Sequence, residues 1–85
     1  MTYKVFVNPK VEKALAKIDN KMALKIRNKI RELAKEPRHD GAIKLQGEEN
    51  AYRTRVGDYR IIYEIYDAKV LVMVINVGHR KEVYS

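Results

Sequence analysis

The sequence predicts an α+β fold in the order β-α-α-β-β-β, with an antiparallel sheet and an N-terminal helical hairpin packed on one of its faces. Three observations carry this. Apolar residues after Asn8 recur at helical spacing. The second half alternates with period two and is broken by tight-turn residues. Those turns are short, so the later strands join antiparallel neighbours and leave the helices to cover one side.

Each element has its own local signal. Tyr3, Val5 and Val7 alternate with Lys4 and Phe6, which predicts the first strand. Asn8 is a helix-capping residue and Pro9 suits a first helical turn. Val11, Ala14, Leu15 and Ile18 then follow the i, i+3, i+4, i+7 pattern. Asp19-Asn20 breaks that helix, and either residue can cap the next. The second helix is expected from about Lys21 to Lys35, with Met22, Ile26, Ile30 and Leu33 as its apolar stripe, and Glu36-Pro37 ends it. A short connection between the two helices implies that they run antiparallel. Ala42 to Leu45 is a short strand and Gln46 to Asn50 a loop. Strands follow over Ala51–Val56, Tyr59–Tyr66 and Val70–Val77. The run from Val70 to Ile75 has no polar face, so it is expected inside the sheet rather than at its edge.

Eighty-five residues are expected to form one domain spanning residues 1–85, and 46% apolar content excludes general disorder. Net charge is +7 with pI about 9.7, which favours an anionic partner. Cysteine is absent, which excludes disulfides and thiolate chemistry. The only serine is Ser85, which argues against a serine nucleophile. Two histidines, His39 and His79, form no metal-ligand cluster of familiar spacing. The scattered glycines make no phosphate-cradling motif, so no metal or cofactor is expected. No apolar run is long enough to span a membrane and no leader-like segment stands at the start, so the expected location is cytoplasmic, with no membrane partner.

The most informative stretch is Tyr52-Arg53-Thr54-Arg55-Val56-Gly57-Asp58-Tyr59-Arg60-Ile61-Ile62-Tyr63. Gly57-Asp58 is a two-residue loop with glycine first, the signature of a type II′ turn. That turn pairs Val56 with Tyr59 and Arg55 with Arg60, so Arg53, Arg55 and Arg60 share one face. Like charges set opposite each other destabilise a sheet. A fold that accepts this points to an anion held there, with phosphate the natural candidate. The last strand ends in Gly78-His79-Arg80-Lys81-Glu82-Val83-Tyr84. If it pairs with Tyr59–Tyr66, its end lies beside Arg60. Arg80 and Tyr84 then join the arginines in a shallow basic concavity.

Lys44-Leu45-Gln46-Gly47, the Tyr52–Tyr63 stretch and Val77-Gly78-His79-Arg80-Lys81-Glu82-Val83-Tyr84 together resemble the RelE branch of the RelE/ParE toxin superfamily. The likeness covers nearly the whole chain. It implies a toxin of a type II toxin–antitoxin pair that enters the ribosomal A site and cuts mRNA. The RNA's own 2′-hydroxyl is the nucleophile, and a 2′,3′-cyclic phosphate remains. The family's catalytic positions fall on Arg53, Arg55, Arg60, Arg80 and Tyr84. Lys44, His79 and Lys81, with Arg53 and Arg55, are expected to contact RNA. The partners implied are the ribosome with its mRNA and an acidic RelB-like antitoxin.

Such a site suits the residues present. Arginines hold phosphate in fixed geometry and stabilise a developing phosphorane, but with pKa above about 12 they are poor acids and bases. Tyr84, with an ordinary pKa near 10, can act as base or stack on a nucleobase. His79 is the alternative acid or base. Alignment by the ribosome would supply what the side chains lack. Two other readings stand beside this one: a ParE-like inhibitor of DNA gyrase, and a non-catalytic RNA-binding member.

Overall fold

The computed structural model describes residues 2–79. Asn8 accepts a hydrogen bond from the Lys10 backbone N–H at 2.9 Å and, with Pro9, starts helix α1, Pro9–Ala16. The first strand, β1, precedes it as Lys4–Val7. Asp19, one of the two expected caps, takes the N–H groups of Lys21 and Met22 and opens helix α2, Asn20–Glu32. The helical pattern suggested an end at Lys35. The structure instead tightens after Glu32, where Ala34 and Lys35 make i→i+3 bonds to Arg31 and Glu32. Arg27 and Glu12 join the two helices at 2.9 Å.

Among the described residues five strands follow one order, β1-β5-β4-β3-β2. β2 is Ile43–Lys44, β3 Ala51–Val56, β4 Tyr59–Tyr66 and β5 Leu71–His79. The short segment before the loop therefore does form a strand, and it caps one edge of the sheet. Pairings β2–β3, β3–β4 and β4–β5 are antiparallel, as the short turns require. β1 adds a parallel edge against β5, with Val5 opposite Val72. The all-apolar strand is thus flanked on both sides. Its start moves by one residue, because Val70 closes the 3₁₀ turn Asp67–Lys69 with a left-handed φ of 50°. A bulge near Ile62 and Tyr63 shifts the register, so that Tyr63 faces Val74 while Ile62 faces Asn76.

Both helices lie on one face of this sheet. The core joins Val11, Leu15, Ile26, Ile30 and Leu33 to Ile61, Tyr63, Ile65, Val72, Val74 and Val77. Tyr63 is fully buried and donates its hydroxyl to the Pro37 carbonyl at 2.6 Å, which anchors the segment after α2. Burial pushes the Tyr63 phenol above the ordinary tyrosine range.

A second anchor holds the end of the sheet far from the Gly57 turn. Arg38 grips Asp67 with two bonds of 2.8 and 3.0 Å, reaches the Tyr52 hydroxyl at 3.1 Å, and lies over the Tyr52 ring. Tyr3 donates its hydroxyl to the same carboxylate at 2.8 Å. The Arg38 guanidinium and the Tyr3 hydroxyl hold Asp67 down to about 2, from 3.8. A carboxylate depressed in the folded state stabilises fully above its unfolded pKa and loses that contribution as pH falls through the folded one. Asp67→Asn is therefore expected to lower Tm at neutral pH. The gap from the parent should close between pH 3.8 and about 2. Thermal melts across that range check this, and a gap that persists at pH 2 assigns the effect to something other than the carboxylate's charge.

Candidate nucleic-acid interface

The hairpin forms in the expected register. Val56 faces Tyr59, Arg55 faces Arg60, Thr54 faces Ile61 and Arg53 faces Ile62. Gly57 has φ of 58°, and Asp58 is not left-handed, as a turn with glycine in the first central position requires. A second reason for glycine lies beneath the turn: a Cβ at this position would stand 2.9 Å from the Met22 Cε. The turn thus rests on the first turns of α2.

Because Thr54, Ile61 and Tyr63 face the helices, Arg53, Arg55 and Arg60 face away from them, on the open side of the sheet. Cβ atoms of directly opposed residues lie about 4.5–5.5 Å apart, so the Arg55 and Arg60 side chains start close together. They differ in exposure. Arg55 is exposed, Arg53 half-buried, and Arg60 only 5% exposed. A guanidinium keeps its proton under all ordinary conditions, so Arg60 fixes a positive charge where water screens it least.

Gly78 sits across from Arg60 on β5. It presents no side chain to the open face. The bulge creates this match by restoring Val77 to the core opposite Ile61 and setting Asn76 and Gly78 on the arginine side. Its sequence signal is Asn76-Val77: unbroken alternation from Val72 and Val74 would turn the polar Asn76 to the core and Val77 away from it.

The other expected site residues separate from this cluster. His79 pairs with Tyr59 and stacks edge-on against its ring at 5.5 Å, on the helix side. There it lines a hollow of about 230 Å³ with Ala14, Lys17, Ile18 and Val77. Lys44 pairs with Tyr52 and belongs by register to that same side, exposed at the sheet edge, while its neighbour Ile43 shares the face of Arg53. The structure therefore brings together Arg53, Arg55 and Arg60, and not Lys44 or His79. Arg80, Lys81 and Tyr84 lie outside the described residues.

A cleft of about 430 Å³ opens at the edge of β3, lined by Lys29, His39, Gly41, Ile43, Arg53, Thr54 and Arg55. It extends the positive surface around the strand edge toward α2. Sequence reading gave His39 and Thr54 no joint role, because their contact, His39 Nε2 to Thr54 Oγ1 at 2.8 Å, joins residues that no local pattern connects.

A family model for the ParE toxin of type II toxin–antitoxin systems matches residues 5–84. The mRNA interferase toxin RelE of Escherichia coli is 33% identical over 89 aligned residues, covering all of this chain and 93% of that protein. The crystal structure of isolated Escherichia coli RelE superposes with a TM-score of 0.78 at 30% identity, covering 96% of this chain and 90% of that one. The archaeal RelE in complex with RelB from Pyrococcus horikoshii gives 0.81 at 29% identity, over 96% and 99% of the two chains.

Proposed function

The chain belongs to the RelE/ParE family of toxins of type II toxin–antitoxin systems, and we propose that it is an mRNA interferase, an endoribonuclease that cuts mRNA in the ribosomal A site. The observation that carries this reading is the open-face cluster of Arg53, Arg55 and Arg60, built on one hairpin and floored by Gly78. The relative of matching length is named an mRNA interferase toxin, and the cluster has the chemistry for that activity.

In the proposed reaction the ribose 2′-hydroxyl attacks the adjacent phosphorus, a bond to the 5′-oxygen breaks, and a 2′,3′-cyclic phosphate forms. The hydroxyl proton leaves to a base and a proton is delivered to the departing oxygen. The nucleophile belongs to the RNA, so no protein nucleophile is required. Arg53 and Arg55 hold flanking phosphates, with the fork of each guanidinium suited to two oxygens at once. Arg60, withdrawn from water, stabilises the extra negative charge of the phosphorane. Arg80 is assigned to the same phosphate and Tyr84 to proton transfer or base stacking, on the motif alone. Lys44, His79 and Lys81 are assigned to RNA contacts outside the arginine cluster. The ribosome supplies alignment that a shallow open face does not.

The same reading assigns two partners and a place of action. Relatives of this fold have been crystallised with RelB antitoxins, and a RelB-like antitoxin that brings acidic side chains to the arginine face is proposed here. Among the described residues no helix is long and apolar enough to cross a membrane; the proposed action on ribosomes is a cytoplasmic one.

Toeprinting on programmed ribosomes tests the reading. A new 3′ end inside the A-site codon is the expected result. Because the matching family model takes its name from ParE, a gyrase supercoiling assay runs beside it. Inhibited supercoiling with intact mRNA would replace this reading with the gyrase one, and no effect in either assay would leave a binding protein.

A salt series on the same ribosomes separates binding from chemistry. Arg53→Ala and Arg55→Ala are each expected to flatten the dependence of log affinity on log salt by about 0.7, the value of one phosphate contact on single strands. Parent slopes in both variants would remove the hairpin face from the interface.

A further inference from the structure

Past Arg53, β3 loses its outer neighbour. β2 contributes only the pairs Ile43–Arg53 and Lys44–Tyr52. Among the described residues, Thr54, Arg55 and Val56 therefore have a strand on the β4 side alone. Segments held by few buried contacts open most readily, yet this half of the strand carries Arg55.

His39 stands where the missing neighbour would be. Its Nε2 lies 2.8 Å from the Thr54 Oγ1, and its Nδ1 lies 3.1 Å from the Glu36 carbonyl oxygen. A carbonyl oxygen only accepts, so in the neutral ring Nδ1 carries the proton and Nε2 receives the Thr54 hydroxyl. Thr54 is 2% exposed, which removes water as a competing partner for that hydroxyl. Gly41 closes over the pair. A Cβ built there would stand 3.6 Å from the His39 ring and 3.8 Å from the Thr54 Oγ1.

The chain of contacts runs from the turn after α2, through the imidazole, to the one β3 side chain set between the two arginines. Successive strand residues point to opposite faces. A rotation at Thr54 therefore re-aims Arg53 and Arg55 together.

We infer that His39 is a positioning residue for the arginine pair: its bridge from the Glu36 carbonyl to the Thr54 hydroxyl holds the half of β3 that has no outer strand and fixes where Arg53 and Arg55 point. This inference rests on the proposed reading that those arginines hold RNA. It assigns His39 no contact with the reacting atoms.

Three variants test it. Thr54→Val removes the hydroxyl and keeps the side-chain volume. His39→Ala removes the bridge and leaves the sequence of β3 untouched. Thr54→Ser restores a hydroxyl. Single-turnover cleavage on programmed ribosomes is measured against toxin concentration, and backbone ¹⁵N relaxation is measured on the free proteins. Thr54→Val and His39→Ala are expected to raise the half-saturating concentration about five- to tenfold while the plateau rate stays within about threefold, since one hydrogen bond orders ground-state contacts. Residues 54–56 should become more mobile in both, with β5 unchanged. Thr54→Ser should track the parent in both measurements. Parent-like concentration dependence in Thr54→Val and His39→Ala, or a serine variant as impaired as the valine one, overturns the inference. So does relaxation at residues 54–56 that no variant alters. A parent protein that fails to cleave overturns the mRNA interferase reading instead, and the relaxation arm then decides alone whether the bridge holds the strand.

Discussion

Arg60→Ala is expected to slow cleavage on programmed ribosomes on the order of 100-fold or more, the usual loss when one preorganised donor to a developing oxyanion is removed. The argument combines position and burial. Arg60 stands opposite Arg55 on the open face, beside Gly78, and is only 5% exposed. A charge there acts through a medium that screens it weakly, and no reorganisation of solvent is needed when the phosphorane forms. The same burial means that truncation also removes packing, so the alanine variant needs a companion. Arg60→Lys keeps the charge and loses the planar fork. It is expected to fall between parent and alanine in rate while matching the parent in thermal melting. Plateau rates under single-turnover conditions give the measurement. If Arg60→Ala folds and cleaves like the parent, the charge is not used in the transition state and the assignment of Arg60 fails.

Ile26→Ala carries the largest expected cost in stability. Ile26 is fully buried on α2, in the cluster that joins both helices to β4 and β5. Removing three carbons from such a site typically costs about 2–5 kcal/mol, depending on how far the surroundings collapse. For a chain of this size each kcal/mol lowers Tm by roughly 4–8 °C, so a drop of about 10 °C or more is expected. Leu24 supplies the control. It lies on the same helix but is 56% exposed, and Leu24→Ala should change stability by less than about 0.5 kcal/mol. Urea melts of both variants check the contrast. Equal losses would mean that α2 is not held to the sheet by the stripe described here.

The two variants probe features that were unequally visible in the sequence. The hairpin was the most legible part, because a two-residue turn with glycine first leaves one register for the flanking strands. That register alone put Arg53, Arg55 and Arg60 on one face, as observed. Asn8, Pro9 and the stripe of α2 were equally plain, since capping and helical periodicity are local properties. What escaped depends on partners far apart in the chain. The parallel pairing of β1 with β5 leaves no trace in either strand's own pattern. The bulge falls at the end of an apolar run, and only Asn76-Val77, out of phase with Val72 and Val74, betrays it. His79, expected to contact RNA, is set by the register after the bulge against Tyr59 on the helix side, away from the arginines. The degree to which Arg60 is buried was equally invisible, as burial is a property of what packs around a residue.

The parallel edge also orders events in time. β1 is made before β5, with both helices and three strands between them, and each of Lys4 to Val7 finds its partner between Leu71 and Val74. The arginine hairpin can close once β4 has followed its turn, but Gly78, which lies beside Arg60, arrives with the later strand β5. A nascent chain still lacking β5 therefore has an unpaired first strand and an arginine face without its floor. Contacts this distant in sequence must wait for synthesis and then pay for loop closure before they yield any stability. For a protein proposed to act on ribosomes, the arginine face is therefore complete only once β5 has emerged and found β4.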